Sequence, residues 1–129
     1  MLAEDKVEEF FAEVERCRGW IEAAIENGGD THNFKDIVDG IISGTMQFWP
    51  SANAAAITEI VKYPNKRVLH IFLAGGKMEE IVNMNEDAIK FAKLNKCDAI
   101  TIAGRRGWVK VLKEKGYCEM LTTLAKELN

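Results

Sequence analysis

Of the residue types that most often staple, kink or metallate a chain, this sequence of 129 residues is sparing: three cysteines, two prolines and two histidines. Cys17, Cys97 and Cys118 lie far apart, without the paired spacing of a zinc site, and an odd number cannot close a complete disulfide framework. Reduced thiols in a cytoplasm-like compartment are expected. No apolar run approaches the roughly 18 residues of a membrane span, and the first nine residues are charged where a signal peptide is apolar. These features predict a soluble, cytoplasmic protein with no membrane partner. Neither sign of charge dominates: 17 Lys and Arg stand against 20 Asp and Glu, for a net charge of −3. Such a balance argues against nucleic acid as a partner, because phosphate binding needs a concentrated cationic face. Ser43 and Ser51 have no acid or histidine at triad spacing, and the isolated His32 and His70 predict no metal site. Repeats, low-complexity tracts and linkers are also missing, so one domain over residues 1–129 is expected.

What the chain does have is well-marked periodicity. Val7, Phe10, Phe11, Val14, Cys17, Ile21, Ala24 and Ile25 recur at three- and four-residue steps, predicting an amphipathic helix within residues 1–30 that packs on the rest and stops at Gly28-Gly29. Asn33 can cap a second helix with Asp36 three residues on, and Gly44 ends it. Residues 46–49, 54–63 and 68–74 are short apolar and β-branched runs separated by turn residues, which predicts three antiparallel strands. Helical period returns over 78–94, and 98–103 reads as a buried strand. A long helix between two strands is a crossover, so those strands should be parallel neighbours. A helix over 108–115 and a last strand over 118–125 complete the order α, α, β, β, β, α, β, α, β. This is an α/β (α+β) chain with a mixed, mostly antiparallel sheet and helices on both faces.

Two glycine-bearing segments close strands within that order. Leu73-Ala74-Gly75-Gly76-Lys77 opens the crossover helix, and Gly104-Arg105-Arg106-Gly107-Trp108 precedes the next one, which leads through Leu112 to Gly116-Tyr117. Unpaired N–H groups at a strand-to-helix turn favour an anion, glycine removes the Cβ that would hold the anion off, and Lys77 adds a positive charge. Element order and these two motifs together resemble the GCN5-related N-acetyltransferase (GNAT) family over roughly residues 34–124. The loop differs from the family's Arg/Gln-x-x-Gly-x-Gly/Ala pattern, since its glycines are adjacent and the leading Arg or Gln is missing. In the second motif Leu112 stands where the family often has a tyrosine that reprotonates the departing thiolate. The wording also looks like small GNAT-like proteins encoded by tailed bacteriophages, some of them acetyltransferases and some associated with virion proteins. Family members usually begin with a strand and end with a β-hairpin, so this fold is expected to be reduced at both termini.

The resemblance implies acetyl-CoA as acyl donor, with Phe72, Leu73, Ala74, Gly75, Gly76 and Lys77 binding the coenzyme and Arg105 and Arg106 clamping its phosphates. It implies direct transfer to an amine on a small molecule or a protein. Glu59, inside an otherwise apolar strand, is a candidate base; His70, mid-strand among apolar neighbours, is a base or hydrogen-bond partner; Tyr117 is a substitute acid for the leucine at 112. The alternative implied by the same resemblance is a catalytically inactive phage protein that binds or assembles with structural proteins of the virion, in the host cytoplasm or in the particle. A homo-oligomer is compatible with either.

Overall fold

The computed structural model describes residues 4–104 and 107–128. Among them, helices α1 (Glu4–Arg16), α2 (Arg18–Asn27) and α3 (Phe34–Ser43) precede strands β1 (Met46–Pro50), β2 (Ala54–Lys62) and β3 (Arg67–Gly76). Helices α4 (Met78–Asn83) and α5 (Asn85–Leu94), strand β4 (Ala99–Ile102) and helix α6 (Gly107–Lys113) follow. The strands form one sheet in the order β1-β2-β3-β4, antiparallel for the first two pairs and parallel for β3 and β4. The mixed sheet expected from the sequence is therefore present.

Helices cover both faces. On one, Ile21 and Ile25 of α2 and Ile37 of α3 are buried against Ala55, Ile57 and Leu73. On the other, Ala88 and Ala92 of α5 press on Leu69, with Ile60, Phe91 and Ile100 around them. Burying one such Ile or Leu side chain contributes about 1.5–3 kcal/mol, so these two clusters account for much of the drive to fold. The run Ala54, Ala55 and Ala56 is buried at the start of the inner strand β2, where small side chains let α2 and α4 approach it from opposite faces.

Local signals are obeyed closely around α3. Asn33 Oδ1 accepts from the Asp36 N–H at 3.0 Å, and the Asn33 N–H donates to Asp36 Oδ2 at 2.9 Å, which is the reciprocal cap read in the sequence. Gly44, at φ +83°, ends the helix in the left-handed region.

Three expectations about elements are corrected. The opening helix is two segments, meeting at Cys17, and the crossover helix is two segments, meeting at Met84 (φ −73°, ψ −12°). The strand expected over 118–125 is not formed; residues 118–128 have no regular structure and are exposed. Met120, Leu121, Leu124 and Leu128 all stay exposed, so the segment has no buried face to hold it as a strand.

Candidate functional site

The site is set by a change of partners along β3. From Val68 to Ile71 the strand is paired on both sides, with Val61 to Thr58 of β2 and with Ala99 to Ile102 of β4. The register to β2 then slips: Thr58 faces Ile71 and Ile57 faces Leu73, leaving Phe72 as the extra residue of a β-bulge. Phe72 and Leu73 both turn toward the α2/α3 core. β4 ends at the same level, its last link to β3 being a long Ala103 N–H to Ile71 O bond of 3.4 Å. Beyond the bulge, Leu73 to Gly76 keep β2 as neighbour while their other edge has lost β4.

Which main-chain donors that edge offers follows from the antiparallel ladder. The Lys77 N–H donates to Asn53 O at 2.9 Å. Bonded pairs alternate along such a ladder, so Gly75 and Leu73 also bond to β2, and the N–H groups of Ala74 and Gly76 point to the opened side. Just past them stand Met78 and Glu79 in the first turn of α4, whose N–H groups a helix cannot satisfy internally.

Both glycines of the doublet are required by packing. A Cβ on Gly75 would come within 2.7 Å of the Trp20 carbonyl oxygen. A Cβ on Gly76, whose φ is +100°, would overlap the Asn53 carbonyl and Ala54. The glycines thus let α2 and the β1–β2 turn close on the strand's end. That turn is itself held twice: Glu80 Oε1 accepts from Ser51 Oγ at 2.6 Å and from the Asn53 N–H at 2.7 Å, and Arg16 donates to the carbonyls of Ser51 and Ala52. These bonds, the Ser51 hydroxyl foremost, hold the Glu80 carboxyl below its usual range. Lys77 is exposed beside this turn.

The expected acid–base residues fall into two places. Glu59 and His70 are direct partners across β2 and β3, and Thr101 of β4 continues the row, its Oγ1 2.8 Å from His70 Nδ1. All three are half-buried. Burial pushes the His70 imidazole below its usual range, against a smaller opposing pull from Glu59. Tyr117 lies on the other face, where its hydroxyl donates to Asn85 Oδ1 at 2.8 Å, and burial pushes its phenol up. There it lines an apolar cavity of about 30 Å³ together with Ile71, Ile102, Thr58 and Leu112. Leu112 is buried in that wall, so the phenol of Tyr117 stands next to the leucine whose expected role it was to take over. Arg105 and Arg106 lie outside the described residues.

Several site-shaping residues had no mark in the sequence. Thr101 is one polar residue in the apolar run Ala99 to Ile102, and its importance comes from parallel register with His70, which only the pairing reveals. Arg16 and Glu80 reach the same turn from distant helices. His32 sets its ring 4.8 Å from that of Phe72, edge to face, at the bulge. Among the described residues no group of histidine, cysteine and acid side chains could hold a metal ion, and no helix is long and apolar enough to cross a membrane.

No protein-family model and no curated protein sequence matches the chain. Solved structures do match its shape. The BH1408 protein of Bacillus halodurans superposes with a TM-score of 0.65 at 15% identity, over 93% of this chain and 95% of that one. A predicted acetyltransferase of Clostridium acetobutylicum, solved with acetyl-CoA, gives 0.67 at 13% identity over 92% and 90%. A GNAT family acetyltransferase of Staphylococcus aureus gives 0.56 at 13% identity over 98% and 95%. The chain has a GNAT-like fold.

Proposed function

We propose that this protein is an acetyl-CoA-dependent N-acyltransferase that passes an acyl group directly to an amine. One observation carries the reading: β3 and β4 part at the Phe72 bulge, so the strand's free edge and the start of α4 offer donors in line. In this reading the N–H groups of Ala74 and Gly76 hold the amide-bearing arm of the coenzyme as a neighbouring strand would be held. Those of Met78 and Glu79, with the Lys77 ammonium, meet its diphosphate. The donors on hand fit an extended amide chain ending in an anion. Phe72, Leu73 and Gly75 serve by shape, as the bulge, its core anchor and the close contact to α2. Arg105 and Arg106 complete the phosphate clamp. The acceptor is an amine of a small molecule or of a protein, which Glu59 attracts as its ammonium form; Tyr117, kept as a neutral phenol by burial, returns a proton to the leaving sulfur. The likeness in fold to a protein solved with acetyl-CoA supports the assignment.

A second reading, a phage-encoded binding or virion-assembly component of this fold without chemistry, is favoured by the leucine at 112 and by Glu79 and Glu80 in the helix turn that would meet the diphosphate. Coenzyme A itself separates the two. A ligand at 100 times its Kd adds about 2.7 kcal/mol to stability, so millimolar coenzyme A should raise the melting temperature by several degrees. No shift at that concentration leaves only the second reading.

A further inference from the structure

The row Glu59, His70 and Thr101 runs across three adjacent strands, one residue below the level at which β3 and β4 part. Its face of β4 is opposite the one on which α5 packs, because Ile100 meets Leu69, Ala88 and Ala92 there and Thr101 alternates away from it. The imidazole is on the face that α2 and α3 cover, and it is half-buried beside the bulge. A neutral imidazole carries its one proton on either ring nitrogen, and the hydroxyl 2.8 Å from Nδ1 can pair with either tautomer, accepting from Nδ1–H or donating to a bare Nδ1.

We propose that Thr101 is a positioning residue: its Oγ1 accepts from His70 Nδ1–H, which leaves Nε2 as the free lone pair that takes the proton of the acceptor ammonium. The inference rests on the acyl-transfer reading and assigns the base within it. Nε2 removes one proton from the ammonium; the freed nitrogen forms a C–N bond to the thioester carbonyl carbon, and the C–S bond breaks. The sulfur leaves with its electron pair and takes a proton from the Tyr117 phenol; the second proton of the original ammonium passes to solvent, and the one held on Nε2 returns through solvent to the phenolate. Glu59, the cross-strand neighbour of His70, attracts the ammonium and then stabilises the imidazolium. The lowered basicity of His70 leaves the imidazole neutral, and so ready to accept, at neutral pH.

The tautomer can be read without any substrate. Long-range ¹⁵N–¹H spectra of the full chain at neutral pH should show His70 protonated on Nδ1 and bare on Nε2. The sequence has one other histidine, so His32→Gln completes the assignment. Thr101→Val should abolish the preference for Nδ1–H, and Thr101→Ser should restore it. With acetyl-CoA and a panel of primary amines followed by thiol release, Thr101→Val should lower kcat about tenfold without changing KM for the coenzyme. Thr101→Ser should stay near wild type, and His70→Gln should lose about 100-fold or more. An Nε2–H tautomer in wild-type protein that coenzyme A stabilises overturns the inference alone, as does unchanged turnover in Thr101→Val. The expected tautomer in a protein that coenzyme A fails to stabilise removes the acyl-transfer reading and the inference with it.

Discussion

The two halves of β3 differ in what they are for. Val68 to Ile71 lie between two strands and carry large side chains inward, with Leu69 fully buried and Val68 nearly so. Leu73 to Gly76 lie beside one strand and, after Leu73, shrink to Ala74, Gly75 and Gly76. A single extra residue, Phe72, separates the halves. The first half spends its backbone donors on neighbours and its side chains on burial, so it anchors the fold. The second keeps alternate donors unspent on the side β4 has left, so it has something to offer a ligand. An anchored half and an open edge thus share one strand without competing for the same groups.

The largest effect expected from this division is on the anchored half. Leu69→Ala should cost about 3 kcal/mol, the usual loss plus cavity term for a fully buried leucine, measured by urea denaturation. The variant that still folds should keep its thermal shift with coenzyme A, because the open edge begins four residues later. Loss of that shift in a folded Leu69→Ala protein would show that the halves are not separable.

How far this arrangement could be read beforehand depended on the reach of each interaction. The three strands, expected over 46–49, 54–63 and 68–74 and found over 46–50, 54–62 and 67–76, and the cap at Asn33 were legible because neighbours a few residues apart determine them, and the parallel crossover followed from their order. The glycine doublet, expected in a turn after a strand ending at residue 74, is instead the last pair of β3, facing Ala55 and Ala54, and the neighbours that require it, Trp20 and Asn53, are far away in sequence. The bulge at Phe72 was hidden for a related reason: an extra residue shows only against a partner strand. The last strand, expected over 118–125, is not formed, since a strand also needs a face to bury and the leucines of this segment stay exposed. Glu59 and His70 could be named one by one; that they are partners, and that Thr101 joins them, required the register.

A smaller effect on stability, with a large one on binding, is expected in the open half. Ala74→Pro removes an N–H that faces away from β2, and proline is tolerated at an edge where that donor is unbonded. The cost should be about 1 kcal/mol, well below the 3 kcal/mol or more expected when proline breaks a bonded position. If the free edge receives the coenzyme, this variant should lose most of the coenzyme A thermal shift while melting near wild type in its absence. A variant that keeps the full shift would place the ligand elsewhere.

The smallest effect tests what holds the open half in place. Glu80 ties the turn at Ser51 and Asn53, and Asn53 O in turn receives the Lys77 N–H, so the carboxylate supports the end of β3 through two links. Its side chain is near solvent, which keeps the contribution modest. Because its folded pKa is depressed, by the Ser51 hydroxyl first and the Asn53 amide second, the native state binds fewer protons than the unfolded chain within that window. The stabilisation is therefore complete above the ordinary carboxylate range and is lost as the pH falls through the lower, folded value. Glu80→Gln should melt slightly below wild type at neutral pH, and the gap should close on acidification. A gap constant with pH would mean that Glu80 acts through its shape alone, and the Lys77 end of β3 would then owe nothing to the charge beneath it.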